Sequence, residues 1–180
     1  MIADPVLSYA IDQDDHLVRV DEGYHRFARE NGWDRSGESL GRSLWDFVAG
    51  EDLKRLQRML LRRIRGEVRS VELPFRCDGP GVRREMDVKI AAGSSGQVVL
   101  FSARMRSEEP RPRPQPLLSA QAPRGEETLT MCGWCDRFLV GGEWVEVEEA
   151  AARLGLFQRS ELPTIDHGIC PECSQLLMAA

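Results

Sequence analysis

Four of the five cysteines in the chain form two short pairs, and these are the residues best suited to chemistry. The first pair is Cys132 and Cys135, and the second is Cys170 and Cys173. Two C-x-x-C units a few tens of residues apart are typical of a zinc site with four thiolate ligands. Four thiolates complete a tetrahedron and leave no position for water, so we expect a structural zinc and not a catalytic one.

The alternative chemistry for these four cysteines is a thiol redox switch. Such a switch needs a depressed pKa and solvent access, and Trp134, inside the first pair, provides hydrophobic cover against that access. The fifth cysteine, Cys77, is interpreted as structural, since a Cys-His nucleophile has no support beyond the residue types. The phosphate-binding and nucleophile-elbow motifs do not occur in the sequence. We therefore predict that the protein is not an enzyme.

Acidic and basic residues are unevenly distributed along the chain. Residues 126–180 include ten acidic and three basic residues, a balance of −7, in a chain of net charge −5. Nucleic-acid-binding surfaces are basic, so we expect a protein partner, with a nucleic-acid-binding regulator as the alternative. No apolar run reaches the ~18 residues of a membrane span, and the first residues lack the pattern of a signal peptide. A cytoplasmic protein is expected.

The cysteine pairs require a small module that brings them together. Between the pairs the sequence predicts a hairpin that turns at Gly141-Gly142 and a helix over 148–154, and a further helix over 174–178. A module of about fifty residues buries little apolar surface, and a structural metal supplies the missing stability. A turn pair, a hairpin and a second pair at a helix start resemble a treble-clef zinc module.

The part of the chain before residue 106 predicts a mixture of strands and helices. Strands are predicted over 6–11, 16–20, 71–76, 85–90 and 97–105, with helices over 21–31 and 51–65. Gly66 is expected to end the longer helix. Pro74 has no N–H to donate, which predicts a place at a sheet edge or a bulge.

This order of elements resembles a PAS domain over roughly residues 6–105, together with the stretch Gly41-Arg42-Ser43-Leu44-Trp45-Asp46-Phe47 before the longer helix. The resemblance implies an α+β fold with helices on one face of a five-stranded antiparallel sheet. It also implies a sensor domain that binds a small ligand or a protein and that often forms homodimers.

A second resemblance concerns the cysteine pairs and their surroundings. The pattern Cys-x-Trp-Cys, a hairpin tryptophan and His-Gly-Ile-Cys-Pro-x-Cys is similar to a small C-terminal cysteine module of bacterial signalling proteins. The likeness is carried by Cys132, Trp134, Cys135, Trp144, His167, Gly168, Ile169, Cys170, Pro171 and Cys173. Residues 148–166 depart from the usual pattern. The resemblance implies a small module of a kind that often follows PAS or response-regulator domains, and so it bears on architecture more than on activity.

Five prolines alternating with arginines predict a linker between the two parts. We place a PAS-like domain at 1–107, a Pro/Arg-rich linker at 108–127 and the zinc module at 128–180. Alternating proline favours an extended, semi-rigid spacer over a packed element.

Three further sets of residues have two interpretations each. Aromatic residues that could line a ligand pocket or form plain core are Tyr24, Phe27, Trp33, Trp45 and Phe47. Histidines that could bind haem, or be ordinary side chains, are His16 and His25. Basic residues of the longer helix that could bind nucleic acid are Lys54, Arg55, Arg58, Arg62, Arg63 and Arg65, and here we favour a solvated helix face.

Overall fold

A five-stranded antiparallel sheet forms the first half of the protein. The structure is a computed structural model that describes residues 6–33 and 36–180. The strands are β1 (Leu7–Ile11), β2 (Leu17–Val20), β3 (Ser70–Arg76), β4 (Val82–Ala92) and β5 (Val99–Pro110). Their order is β2-β1-β5-β4-β3, and each neighbouring pair is antiparallel. Pro74 lies in the edge strand β3, as its missing N–H predicts.

Helices cover one face of this sheet. They are α1 (Glu22–Glu30), two short 3₁₀ turns at Ser36–Ser39 and Leu44–Asp46, and α2 (Glu51–Arg63). Asp21 caps α1 by accepting a hydrogen bond from the Tyr24 N–H at 2.7 Å. Alternate strand residues such as Ile90 and Phe101 are buried against the helices, while Lys89 is exposed on the other face. The predicted α+β fold with a PAS-like five-stranded sheet is confirmed.

Two local expectations were wrong. Gly66 does not end the helix, because a further π-helical turn spans Ile64–Val68 and buries Ile64, and the chain turns at Arg69 with φ +66°. β5 also runs five residues beyond the predicted strand end. Arg84 of β4 lies opposite Glu108 and forms an ion pair with it across the strands, which supports the longer ladder.

The cysteine module has its own four-stranded sheet. Its strands are β6 (Arg124–Cys132), β7 (Phe138–Val140), β8 (Glu143–Val145) and β9 (Leu162–Gly168), in the order β8-β7-β6-β9. Its helices are α3 (Val147–Arg153) and α4 (Pro171–Ala179). The β7–β8 hairpin and both helices agree with the sequence prediction. Strands β6 and β9 and their parallel pairing were not predicted, since the paired residues are 36 to 38 positions apart along the chain.

The proline-rich segment is packed and is not an open spacer. β5 continues to Pro110 and β6 begins at Arg124, so regular structure enters the segment from both ends. Between them, Arg111, Gln115 and Leu117 are buried. The domain boundaries themselves stay a prediction.

The two halves share a hydrophobic core. Leu53 and Leu56 of α2 belong to the same buried cluster as Cys132 and Trp134. The Arg63 guanidinium donates to the Met178 carbonyl of α4 at 3.0 Å. None of the helices within 6–33 and 36–180 has the length and apolar character needed to cross a membrane.

Candidate metal centre and adjoining cavity

Local backbone structure places each of the four paired cysteines. Cys132 is the last residue of β6, and Cys135 follows it in a tight turn. Cys170 is the N-cap of α4, where its sulfur accepts from the Cys173 N–H at 3.4 Å. Pro171 occupies the first helical turn, which needs no N–H donor. A strand end and a helix start therefore bring the two pairs together.

The four sulfurs form one cluster. All of them lie within 4.8 Å of one another, and the Sγ atoms of Cys135 and Cys170 are 3.8 Å apart. A tetrahedron with metal–sulfur bonds of about 2.3 Å has edges of about 3.8 Å. Cys132 and Cys170 are fully buried. The residues fit a metal ion with four sulfur ligands, and the cluster could bind one.

Nitrogen donors surround the sulfurs. Arg137 donates from Nε to the sulfur of Cys135 at 3.3 Å and from Nη2 to that of Cys170 at 3.4 Å. The Cys170 N–H donates to the sulfur of Cys132 at 3.4 Å. The hydrogen bond to Cys135 raises the pKa of Arg137 above its usual range. Such donors stabilise thiolate charge and orient metal ligands.

The thiols share protons when no ion holds them. Hydrogen bonding from Cys135 lowers the pKa of Cys132, while the hydrogen bond to Cys132 raises the pKa of Cys173. The Cys132 thiolate is thus favoured, while Cys173 tends to keep its proton. A metal ion would replace those protons, because only thiolates are good ligands.

The first cysteine turn docks on the edge strand β3. The Trp134 indole Nε1–H donates to the Pro74 carbonyl at 2.8 Å, and the Arg76 N–H donates to the Trp134 carbonyl at 3.0 Å. One step further, the Asp78 N–H donates to Asp136 Oδ2 at 2.7 Å. Two backbone groups of β3 and one just beyond it are therefore satisfied by the cysteine module, which covers this end of the edge strand.

A buried ion-pair network ties the proline-rich segment to both halves. Asp78, whose side chain is fully buried, pairs with Arg76 and with Arg111. Arg76 also donates to Glu146 at 2.6 Å, and Arg111 pairs with Glu148. The network joins β3, the proline-rich segment and the start of α3. No sequence motif marks it, since the partners are between 2 and 70 residues apart along the chain.

A cavity of about 330 Å³ lies between the first sheet and its helices. Its lining is almost entirely apolar and includes Leu60, Phe101 and Trp134. Of the predicted aromatic residues, Tyr24 and Phe27 line it, whereas Trp33, Trp45 and Phe47 do not. Other lining residues were not predicted from the sequence, among them Tyr9, Gln57, Cys77, Phe101 and Trp134. For the strand residues among these, the alternation of inward- and outward-facing side chains could have indicated which of them face the cavity.

Neither candidate haem ligand reaches the cavity. His16 lies beside Asp12 near the surface, and His25 Nδ1 is 3.0 Å from the Ser36 hydroxyl. No histidine occurs among the described residues that line the cavity.

The basic face of α2 is largely paired within the molecule. Lys54 pairs with Glu51 and Arg55 with Asp52, and Arg65, in the π-helical turn after α2, pairs with Asp15. Arg58 stacks on the Trp45 ring, with its guanidinium carbon 4.5 Å from the ring centroid. These contacts favour the interpretation of a helix face stabilised by its own side chains.

Comparison with known proteins gives structural matches only. A scan against models of protein families and a search of curated proteins both find no match. One similar solved structure is the C-terminal domain of a protein from Streptococcus mutans, 17% identical, with a TM-score of 0.40 over 55% of this chain and 74% of the other. Another is the PAS domain of an HTR-like protein from Haloarcula marismortui, 20% identical, with a TM-score of 0.33 over 55% of this chain and 79% of the other.

The class of protein is therefore defined by strand order and site geometry. It is an α+β protein with a PAS-like sheet, helices on one face of that sheet and a compact four-cysteine cluster that could bind a metal ion.

Proposed function

We propose that this chain is a non-catalytic cytoplasmic signalling protein. Its PAS-like domain binds a small ligand or a protein and forms a homodimer, and its cysteine module holds a structural zinc and contacts a further protein. The observation that carries this proposal is the closed four-sulfur cluster, built into the same core as the sheet and α2. The cysteine pattern's likeness to modules of bacterial signalling proteins supports it.

Zinc is the metal that the donor set favours. A tetrahedral set of four sulfurs is typical of zinc or of an iron–sulfur centre, and the spacing of two C-x-x-C units is that of a structural zinc module. Such a site stabilises the fold and has no open position for substrate. This supports a role without catalysis.

A protein partner is favoured over nucleic acid. The region from residue 126 onward has a balance of −7, and four thiolates around zinc add about −2. Phosphate backbones bind basic surfaces. A gel-shift titration tests the alternative: tight DNA or RNA binding at low salt that weakens with added salt would favour the nucleic-acid regulator.

Metal analysis tests the proposal directly. Protein purified without added zinc is expected to contain one zinc per chain and to react slowly with a thiol reagent, since Cys132 and Cys170 are fully buried. If the purified protein contained iron and no zinc, the metal would be assigned as iron. A metal-free protein whose four thiols react quickly would overturn the proposal in favour of the redox switch. Light scattering tests the homodimer.

A further inference from the structure

The cavity and the cysteine module share a wall. Gly133 and Trp134, which lie between the two cysteines of the first pair, line the cavity together with residues of the first sheet, α1 and α2. The Trp134 ring is 6.0 Å from the ring of Phe75, another lining residue, and only 7% of Trp134 is exposed. A molecule in the cavity would therefore touch the turn that positions Cys132 and Cys135.

The lining excludes a charged ligand. Among the described residues that line the cavity there is no acidic side chain, no basic side chain and no histidine. Burial raises the pKa of Cys77 to about 11, so this thiol is also neutral at physiological pH. Transfer of an unpaired carboxylate or ammonium into such surroundings is strongly unfavourable. A neutral molecule is the class that fits.

Two polar groups are available to orient such a molecule. Tyr9 and Gln57 are among the lining residues, and each carries a side-chain group that can form hydrogen bonds. Tyr9 is held by stacking on Phe101, with ring centroids 4.6 Å apart and an angle of 10° between the planes. A ligand with one hydroxyl or carbonyl group would hydrogen-bond with these side chains.

The volume sets the size of the ligand. A cavity of about 150 Å³ holds one benzene molecule, and this cavity is about 330 Å³. It is therefore suited to about two fused rings or an apolar chain of similar volume.

We propose that the cavity and the first cysteine turn form one binding site for a neutral, mainly apolar ligand of about two rings, and that the bound ligand stabilises the metal-loaded cysteine module through Trp134. The inference rests on the proposed function, because it assigns the ligand class of the sensor domain. Binding to one packed unit and metal binding to the other are then linked, so each increases the affinity of the other.

The ligand class is tested with three probes of one shape: 2-naphthol, naphthalene and naphthalene-2-carboxylate. Calorimetry on the zinc-loaded full chain is expected to give a dissociation constant for 2-naphthol at least about tenfold below that of the carboxylate. Tyr9→Phe is expected to weaken the binding of 2-naphthol about fivefold and to leave the binding of naphthalene unchanged. Equal binding of the carboxylate, or no binding of either neutral probe, overturns the ligand class even if one zinc per chain is found.

The coupling is tested by two measurements on the same protein. Saturating 2-naphthol is expected to shift the indole N–H resonance of Trp134 and to slow zinc transfer to a chelator at least about threefold. Trp134→Leu keeps an apolar wall and is expected to abolish this slowing, whereas Trp33→Phe, outside the lining, keeps it. Binding of 2-naphthol with no effect on the Trp134 resonance or on zinc transfer overturns the coupling and leaves the proposed function standing.

Discussion

The indole Nε1–H of Trp134 donates to the carbonyl oxygen of Pro74 at 2.8 Å across 60 residues of sequence. The hydrogen bond joins the turn between two cysteines to the edge strand of the other sheet. Because Arg76 donates back to the Trp134 carbonyl, the turn is held from both sides. The cysteine centre is therefore anchored to the PAS-like domain at its edge strand β3.

Removal of the indole N–H is expected to destabilise the protein. Trp134→Phe leaves the Pro74 carbonyl without this donor and should lower the free energy of unfolding by about 1 kcal/mol. Trp134→Ala also loses the buried ring and should cost about 3–5 kcal/mol. Urea denaturation of the zinc-loaded protein measures both. Trp33→Phe is the control, since its indole N–H has no partner among the described residues; equal losses for Trp134→Phe and Trp33→Phe would contradict the role of the hydrogen bond.

Loss of the buried carboxylate at position 78 is expected to be more severe. Asp78→Ala leaves the guanidinium groups of Arg76 and Arg111 without their shared partner, and removing one side of a buried ion pair costs about 3–5 kcal/mol. Glu148→Gln changes a partner whose side chain is 46% exposed and should cost less than about 1 kcal/mol. Chemical denaturation distinguishes them. If both variants unfold at the same urea concentration, the network does not join the two halves.

The Cys77 thiol is expected to be unreactive in the folded protein. Its pKa is raised to about 11 by burial, against about 8.5 in an unfolded chain. As the pH rises, the Cys77 thiol therefore loses its proton later in the folded protein than in the unfolded chain. The stability that this difference provides is fully present below pH ~8.5 and is lost as the pH rises through the pKa of the folded protein.

Two measurements check this prediction. Iodoacetamide at pH 8 should modify Cys77 much more slowly in the native protein than after denaturation. Between pH 8.5 and 11, wild type should lose on the order of 2 kcal/mol more stability than Cys77→Ala. Fast alkylation of the native thiol at pH 8, identified by peptide mass, would contradict the raised pKa.

The donors around the sulfurs are expected to strengthen metal binding. Arg137→Ala removes two hydrogen bonds to sulfur and should weaken zinc binding about 10–100-fold. Arg153→Ala is the matched control, because Arg153 pairs with Glu143 and Glu149 at the surface of the same module. Competition with a chromophoric chelator gives both affinities. Identical affinities for the two variants would show that Arg137 does not act on the metal.

Zinc removal is expected to unfold the cysteine module. Cys173→Ser should lose zinc, whereas Cys77→Ser should keep one zinc per chain, as measured by metal analysis. Acidification should release the metal because protons compete for the thiolates, so zinc is retained at neutral pH and lost as the pH falls. A folded metal-free module, seen as unchanged hydrogen exchange in β6 and β9, would contradict the structural role.

Much of the local structure could be predicted because its signals lie within a few residues. Leu53, Leu56 and Leu60 recur at helical spacing, and α2 buries all three. Asp21 stands before α1 and caps it. The two C-x-x-C units needed only short turns to direct their sulfurs together, and the sulfurs do lie together.

The contacts between distant segments could not be predicted. The proline and arginine content after residue 107 favours a spacer, yet Arg111 is buried because the fold brings Asp78 to it. The aromatic residues Trp33 and Trp45 were candidates for the pocket, but they pack outside it. The side chains that face a cavity are decided by where the helices lie over the sheet. No local sequence pattern contains that information.

By itself, the sequence determined the helices, the strands of the first sheet and the β7–β8 hairpin, the fold class and the four clustered cysteines, since these follow from residue periodicity, turn residues and thiol spacing. Only the tertiary structure decided that Trp134 docks on Pro74 and closes one wall of the cavity. The reason is physical: hydrophobic burial and the satisfaction of an exposed strand edge act between surfaces, and those surfaces exist only after both halves have folded.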